Sequence, residues 1–280
     1  MFNRLKRQFA RGTLGLVFSA HFMRRRALSM LNRYFRKGEL VLRYKMKDHT
    51  LYLDPADDVI AARVLLRGDW QRRDLMRVVS LLKAHRPELA GKLFIDVGSN
   101  IGTETVYAML SGFFTGGVAI EPEPHNFSLL QENVSANDLQ GKIRTLQCAV
   151  GAAAGKGHLL RTKWNYGGHA LAETGTEGLA VAVLPLSDIV VDAGAAGLIW
   201  MDVNGTEASV LKGMDDILRA RVPIVIEHLP SFITEAAARE IHSIMAAHYS
   251  FYCRVDDVDE DPKTVDKMNP LRDAGDFLFF

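Results

Sequence analysis

At 280 residues, with 48% hydrophobic and 24% charged content, the chain can bury one sizeable core and keep a soluble surface, so it reads as one globular body plus an extension. The formal net charge of +1 hides an asymmetry: residues 1–38 carry ten Lys and Arg and no acid, while residues 39–280 carry 24 basic and 33 acidic side chains, a net of −9. A mildly acidic body with a basic arm disfavours a protein that wraps nucleic acid, because the basic surface should then lie beside the cleft.

The arm interleaves Arg4, Lys6, Arg7, Arg11, Arg24, Arg25, Arg26, Arg33, Arg36 and Lys37 with Leu14, Val17, Phe18, Phe22, Leu28, Leu31 and Phe35. That is the pattern of an amphipathic basic helix. Three uses are compatible with it: packing on or beside the core, docking on a membrane surface or protein partner, or organelle targeting. Its longest uncharged run, Gly12 to Met23, falls short of the roughly 20 apolar residues of a spanning helix, so no transmembrane segment is expected. The expected location is cytoplasmic, with membrane association through the arm as an option.

Glu39 to Asp54 alternates apolar and polar residues around Lys47-Asp48-His49, which predicts a β-hairpin. Helical patterns follow at Asp57–Leu66 and Asp69–His85, the second ended by Pro87. With the hairpin they make an N-terminal region over residues 39–92, ahead of a core over 93–280. From Leu93 strands and helices alternate: strand Leu93–Val97, helix to about Leu110, strand Gly117–Ile120, helix His125–Asn137, strand Ile143–Val150. Further strands are predicted at Leu198–Val203, Ile224–Glu227, Phe251–Val255 and Asp276–Phe280, with helices at Thr206–Leu218 and Glu235–Ala247. The alternation predicts an α/β fold with a parallel sheet, helices on both faces and an antiparallel C-terminal edge. Gly151–Val183, rich in Gly and Ala, is read as a long loop at the mouth of that sheet, where substrates are gripped. Cys148 and Cys253 have no Cys or His at metal-ligand spacing, so buried free thiols and no required metal are expected.

The most informative stretch is Phe94-Ile95-Asp96-Val97-Gly98-Ser99-Asn100-Ile101-Gly102, an apolar strand that passes through an acid into a glycine turn opening a helix. Glycines there let a ligand approach the backbone, and the helix start presents free N–H groups. Nineteen residues after Gly102, Glu121 ends the next strand, placed to accept hydrogen bonds from ribose hydroxyls. A dinucleotide fingerprint requires G-x-G-x-x-G. Here Ser99 stands at the second glycine, giving D-x-G-x-x-x-G, and an acid beside the turn suits the sulfonium and ammonium of S-adenosylmethionine better than a pyrophosphate. A nicotinamide or flavin cofactor and a purely structural turn remain as alternatives.

These residues, with Glu121-Pro122-Glu123-Pro124-His125-Asn126-Phe127, Leu130 and Asn133, and then Asp202-Val203-Asn204-Gly205-Thr206-Glu207 and Leu211-Lys212-Gly213, resemble the FkbM-type methyltransferases over about residues 93 to 228. The resemblance implies a class I methyltransferase fold: Rossmann-like, with a mostly parallel seven-stranded sheet. It implies methyl transfer to a hydroxyl of a sugar, glycan or small natural product, and S-adenosylmethionine held by Asp96, Gly98, Gly102 and Glu121. Ser99 and Asn100 of the same turn join that cofactor set. The sequence departs from the family at Asn204, where Glu is usual.

Methyl transfer to oxygen needs positioning and a group to take the hydroxyl proton. Asp202, at the end of a central strand, is the best-placed carboxylate for this, with capping of the next helix as its structural alternative. Glu207 lies in the first turn of that helix, where a negative charge is favoured in any case. His169, after two glycines in the presumed substrate loop, is a third candidate base, and His228 a fourth. Trp164 and Tyr166 offer flat faces for a sugar or aromatic acceptor. Two readings compete with the methyltransferase: a catalytically silent protein that keeps the cofactor fold, suggested by Asn204, and an NAD-linked oxidoreductase.

Overall fold

In a computed structural model the chain is described at residue 30 and over residues 37–162, 165–172, 177–257 and 261–280. The basic arm and Trp164 lie outside the described residues, apart from Met30, Lys37 and Gly38. The chain divides into two units, one reaching to Trp70 and including residues 165–167, the other holding Gln71 onward. No helix among the described residues is long and apolar enough to cross a membrane.

In the first unit, β1 (Leu42–Lys45) and β2 (Thr50–Leu53) form the expected hairpin, with Leu42 opposite Leu53 and Lys45 opposite Thr50. The Met46 N–H closes the turn by donating to the His49 carbonyl at 2.8 Å. Alternation buries Leu51 and Leu53 completely, worth roughly 1.5–3 kcal/mol each. Helix α1 (Ile60–Arg67) buries Ile60, Ala61, Val64 and Leu65 and ends at Gly68 in the left-handed region. The Asp57 carboxylate gathers the N–H groups of Ala61 (2.8 Å) and Tyr166 (3.3 Å), and the Tyr166 side chain is buried with the Lys37 ammonium 4.2 Å from its ring centroid.

The second unit opens with α2 (Arg72–His85), whose Leu75, Val78, Val79 and Leu82 form the buried stripe. It continues through β3 (Leu93–Val97), α3 (Thr103–Leu110), β4 (Gly116–Ile120), α4 (Pro124–Ala136), β5 (Ile143–Leu146), β6 (Ala149–Val150), β7 (Gly155–Leu160), β8 (Ala170–Ala172) and β9 (Leu179–Leu184). Then come α5 (Leu186–Ile189), β10 (Ala196–Met201), α6 (Glu207–Lys212), α7 (Asp215–Arg219), β11 (Ile224–His228), α8 (Glu235–His248), β12 (Phe251–Arg254), β13 (Lys263–Thr264) and β14 (Gly275–Phe279).

The main sheet runs β13-β12-β14-β11-β10-β3-β4-β5. Its centre β11-β10-β3-β4-β5 is parallel, while β14 is antiparallel to both β11 and β12. This is the class I methyltransferase architecture expected from the sequence, with one more strand than the seven anticipated, the two-residue edge β13. Strand alternation sorts two apolar layers. Ile95, Val97, Ile199, Met201, Ile224, Ile226, Phe277 and Phe279 face α6, α7 and α8. Phe94, Leu198, Trp200, Val225 and Leu278 face α2 and α3.

Three expectations are corrected. Gly151–Val183 is not a loop but mostly a second, four-stranded sheet, β6-β9-β7-β8. Gly157 marks close packing there: a Cβ on it would stand 2.7 Å from Leu171. The predicted strand Ile143–Val150 is two strands in different sheets, since β5 pairs with β4 and β6 with β9. The predicted helix Thr206–Leu218 breaks into α6 and α7 at Gly213, where a Cβ would come within 2.1 Å of the Gly151 carbonyl.

Candidate active site

The turn between β3 and α3 is built on left-handed backbone, with φ of 84° at Gly98, 49° at Asn100 and 79° at Gly102. The Gly98 and Ser99 N–H groups donate to the Ile120 carbonyl at 3.0 and 2.9 Å, and the Asp202 N–H donates to the Val97 carbonyl at 3.0 Å. Three strand ends, β3, β4 and β10, are thereby tied at one point. A Cβ on Gly98 would sit 1.9 Å from the Asp202 carbonyl oxygen, and one on Gly102 would sit 2.5 Å from Leu130 Cδ1. The glycines therefore answer to packing as well as to turn geometry. Asn133 Nδ2 donates to the Ile101 carbonyl at 2.8 Å, so Leu130 and Asn133 clamp α4 onto the turn.

Glu121 ends β4 buried, its Oε2 accepting the Asn100 N–H at 2.9 Å and its Oε1 the Glu123 N–H at 2.8 Å. The two bonds hold the carboxylate at the mouth of the turn. Glu123 caps α4 by accepting from the N–H of His125 and Asn126 at 2.8 and 2.9 Å, with Pro124 at the first helical position. Ser99 Oγ is buried with no hydrogen-bond partner among the described residues.

Beside the turn, the alternation that places Phe94, Trp200, Val225 and Leu278 toward α2 and α3 places acids on the same face. Asp96 precedes Val97 on β3; Asp202 follows Met201, level with Glu227 through the Met201–Ile226 register; and Glu227 pairs with Asp276. Glu104 joins them from the first turn of α3. Asp96 accepts the Thr105 hydroxyl, Glu104 the Thr103 hydroxyl at 2.6 Å, Asp276 the Gln71 side-chain N–H at 3.1 Å, and Asp202 shares a hydrogen bond with Glu227. Among the described residues no Lys or Arg pairs with Asp96, Glu104, Asp202 or Glu227. Burial is the main force raising all five pKa values. The Glu227 charge adds to the rise at Asp202 and at Asp276, which reaches about 7. Asp202 and Glu227 thus lie close enough that each affects the titration of the other.

The sequence reading named Asp96 and Asp202 but missed Glu104, Glu227 and Asp276. A signal was available for Glu227 alone, which lies near the end of β11 beside parallel β10, where strand-end acids meet at one edge.

The other sequence candidates are less free. Glu207 is buried and its Oε1 accepts the Gly205 N–H at 2.9 Å, closing its own turn; burial raises its pKa. His169, buried beside β8 in the smaller sheet, accepts the Thr162 N–H on Nδ1 at 3.1 Å. A neutral imidazole has one acceptor nitrogen, and here the backbone uses it. His228 Nε2 lies 2.8 Å from the Pro270 carbonyl, and burial lowers its pKa. Asn204 has φ of 51° and precedes Gly205 at 98°. Asn is among the few side chains that tolerate the left-handed region.

A family model described as the methyltransferase FkbM domain matches residues 96–252. The 31-O-demethyl-FK506 methyltransferase FkbM of Streptomyces tacrolimicus is 28% identical over 192 residues, covering 56% of this chain and 72% of that protein. The hexuronic acid methyltransferase AglP of Haloferax volcanii is 28% identical over 164 residues, covering 56% of this chain and 65% of that protein. Among solved structures, a methyltransferase FkbM from Methylobacillus flagellatus KT aligns with 18% identity and a TM-score of 0.46, over 68% of this chain and 44% of that one.

Proposed function

The chain belongs to the FkbM methyltransferase family, and from that premise we propose that it is an S-adenosylmethionine-dependent O-methyltransferase acting on a hydroxyl of a sugar, glycan or small natural product. The observation that carries the cofactor assignment is the composition of the mouth: among the described residues, buried carboxyl groups with no Lys or Arg partner gather beside a turn whose Ser99 Oγ is buried without a partner. Such a site suits a ligand bearing sulfonium and ammonium charges. It repels the pyrophosphate of a dinucleotide, which argues against the NAD-linked reading.

In this proposal Gly98, Ser99, Asn100 and Gly102 shape the floor of the site and Glu121 accepts from ribose hydroxyls, as its place at the end of β4 permits. Asp96 presents negative charge beneath the turn. When bound, the cofactor supplies an activated methyl group. In its ionised form Asp202 takes the proton of the acceptor hydroxyl, and the neighbouring Glu227 charge raises its affinity for that proton. Glu207 holds the turn that carries Asp202, through the Gly205 N–H. The relatives, named for 31-O-demethyl-FK506 and hexuronic acid, support a small-molecule or glycan acceptor. The silent-protein reading loses its motive because the left-handed geometry at Asn204 gives the residue a conformational reason.

Incubation with methyl-labelled S-adenosylmethionine and a panel of glycosides and polyketide alcohols tests the reading. A labelled methyl ether is expected, lost in Asp202→Asn. Tight cofactor binding without transfer to any acceptor would instead favour the silent protein.

A further inference from the structure

One buried acid has no part in the proposed chemistry. Glu104 stands in the first turn of α3, directly after the cofactor turn, and its side chain is 7% exposed. Oε2 accepts the Thr103 hydroxyl at 2.6 Å, whereas Oε1 is buried with no hydrogen-bond partner among the described residues. Leaving such an oxygen unpaired is costly. The dipole of α3 favours an acid there but is the weaker effect and does not offset the cost.

The charges around Glu104 deepen the imbalance. Asp96 comes from β3, Asp202 from the end of β10 and Asp276 from β14. Helix α2 contributes Arg72, whose guanidinium lies 5.4 Å from the Tyr107 ring centroid, and Asp74. At the end of β4, Glu121 is bound to the Asn100 and Glu123 N–H groups, and α4 begins with His125. The charges that act on Glu104 or feel it in turn, those of Asp96, Asp276 and Asp202, are all acids.

We propose that Glu104 seats the ammonium of the cofactor's amino-acid end on its unpartnered Oε1, and that loading the cofactor expels a proton from the Asp96–Glu104 pair. The proposal rests on the cofactor assignment above. Burial raises both groups and the Asp96 charge adds to the rise at Glu104, taking Asp96 to about 7 and Glu104 to about 8, so the pair keeps a proton near neutrality. A cation against Oε1 reverses the balance and favours the carboxylate. The proton leaves the Glu104 carboxyl for solvent, the ammonium keeps its own, and no other bond changes.

Titration calorimetry with S-adenosylhomocysteine and 5′-methylthioadenosine, in two buffers of different ionisation enthalpy, tests this. The second ligand has the adenosine and thioether but no amino-acid end. Wild type is expected to release close to one proton on binding S-adenosylhomocysteine at pH 7.5 and none on binding methylthioadenosine. Glu104→Gln should abolish the release and weaken S-adenosylhomocysteine about tenfold, a change equal to about 1.4 kcal/mol, while methylthioadenosine binds both forms alike and reports that the site is folded. If both ligands bind wild type without proton release, the Glu104 assignment is overturned and the cofactor reading survives. If neither binds, both fall. Release seen only with S-adenosylmethionine would assign the cation to the sulfonium and also overturn the proposal.

Discussion

Gly98 and the Asp202 carbonyl approach so closely that a Cβ on the glycine would stand 1.9 Å from the oxygen, at a φ of 84° that side chains rarely adopt. The approach joins the β3–α3 turn to the loop carrying the candidate base Asp202. Gly98→Ala combines left-handed strain with overpacking, a loss of about 2–5 kcal/mol. Urea unfolding of the purified variant measures it; a loss below about 1 kcal/mol would show that the two strand ends are less tightly coupled than described.

At Asn204 the left-handed backbone sets a different expectation. Asn204→Gly should be nearly neutral, since glycine adopts φ of 51° without strain. Asn204→Glu, which restores the family's usual residue, should destabilise by about 1 kcal/mol unless the loop rearranges. The thermal midpoints of the two variants give the comparison, and a Glu variant as stable as wild type would contradict the conformational reason for Asn204.

Much of this was legible in the sequence because its signals are local. The run Leu93–Val97 into Gly98 fixes both a buried strand and its turn, and β3 falls at the expected residues. Alternation around Lys47-Asp48-His49 likewise gives the hairpin. What escaped depends on pairing. Gly157 reads as loop, since nothing local shows that Leu171 and Val183 pack over it. Glu104, Glu227 and Asp276 lie far apart in the chain and meet only through the register of β11 with β14 and the placement of α3. His169 looked available as a base, and only the fold shows Thr162 N–H on its Nδ1.

The buried acids make stability depend on pH in a definite sense. Glu104 titrates near 4.3 when unfolded and at about 8 when folded, so between those values the native state binds more protons and stability falls as pH rises. His228, held neutral by burial, opposes this only as pH drops through about 6.5. Glu104→Gln should therefore gain thermal stability relative to wild type between pH 6 and pH 8.5, with the gap smallest at the acid end. A constant gap across that range would contradict the shift.

Glu227 is the charge that most raises Asp202 after burial itself. Asp202→Asn should lower kcat by about 10²–10⁴-fold, the usual contribution of a general base. Glu227→Gln removes a like charge, lowers the pKa of Asp202 and should move the rising limb of the pH–rate profile to lower pH. An unmoved limb would remove Asp202 as the titrating base.

The central claim, that the β3–α3 turn with Glu121 holds an adenosyl cofactor, is tested most directly by thermal unfolding with S-adenosylhomocysteine or NAD, in wild type and Glu121→Gln. At about 100 times its dissociation constant a ligand adds roughly 2.7 kcal/mol to native stability, a shift of several degrees. The account expects the adenosyl ligand alone to raise the midpoint, and the rise to shrink in Glu121→Gln. Stabilisation by NAD, or by neither ligand, would contradict it.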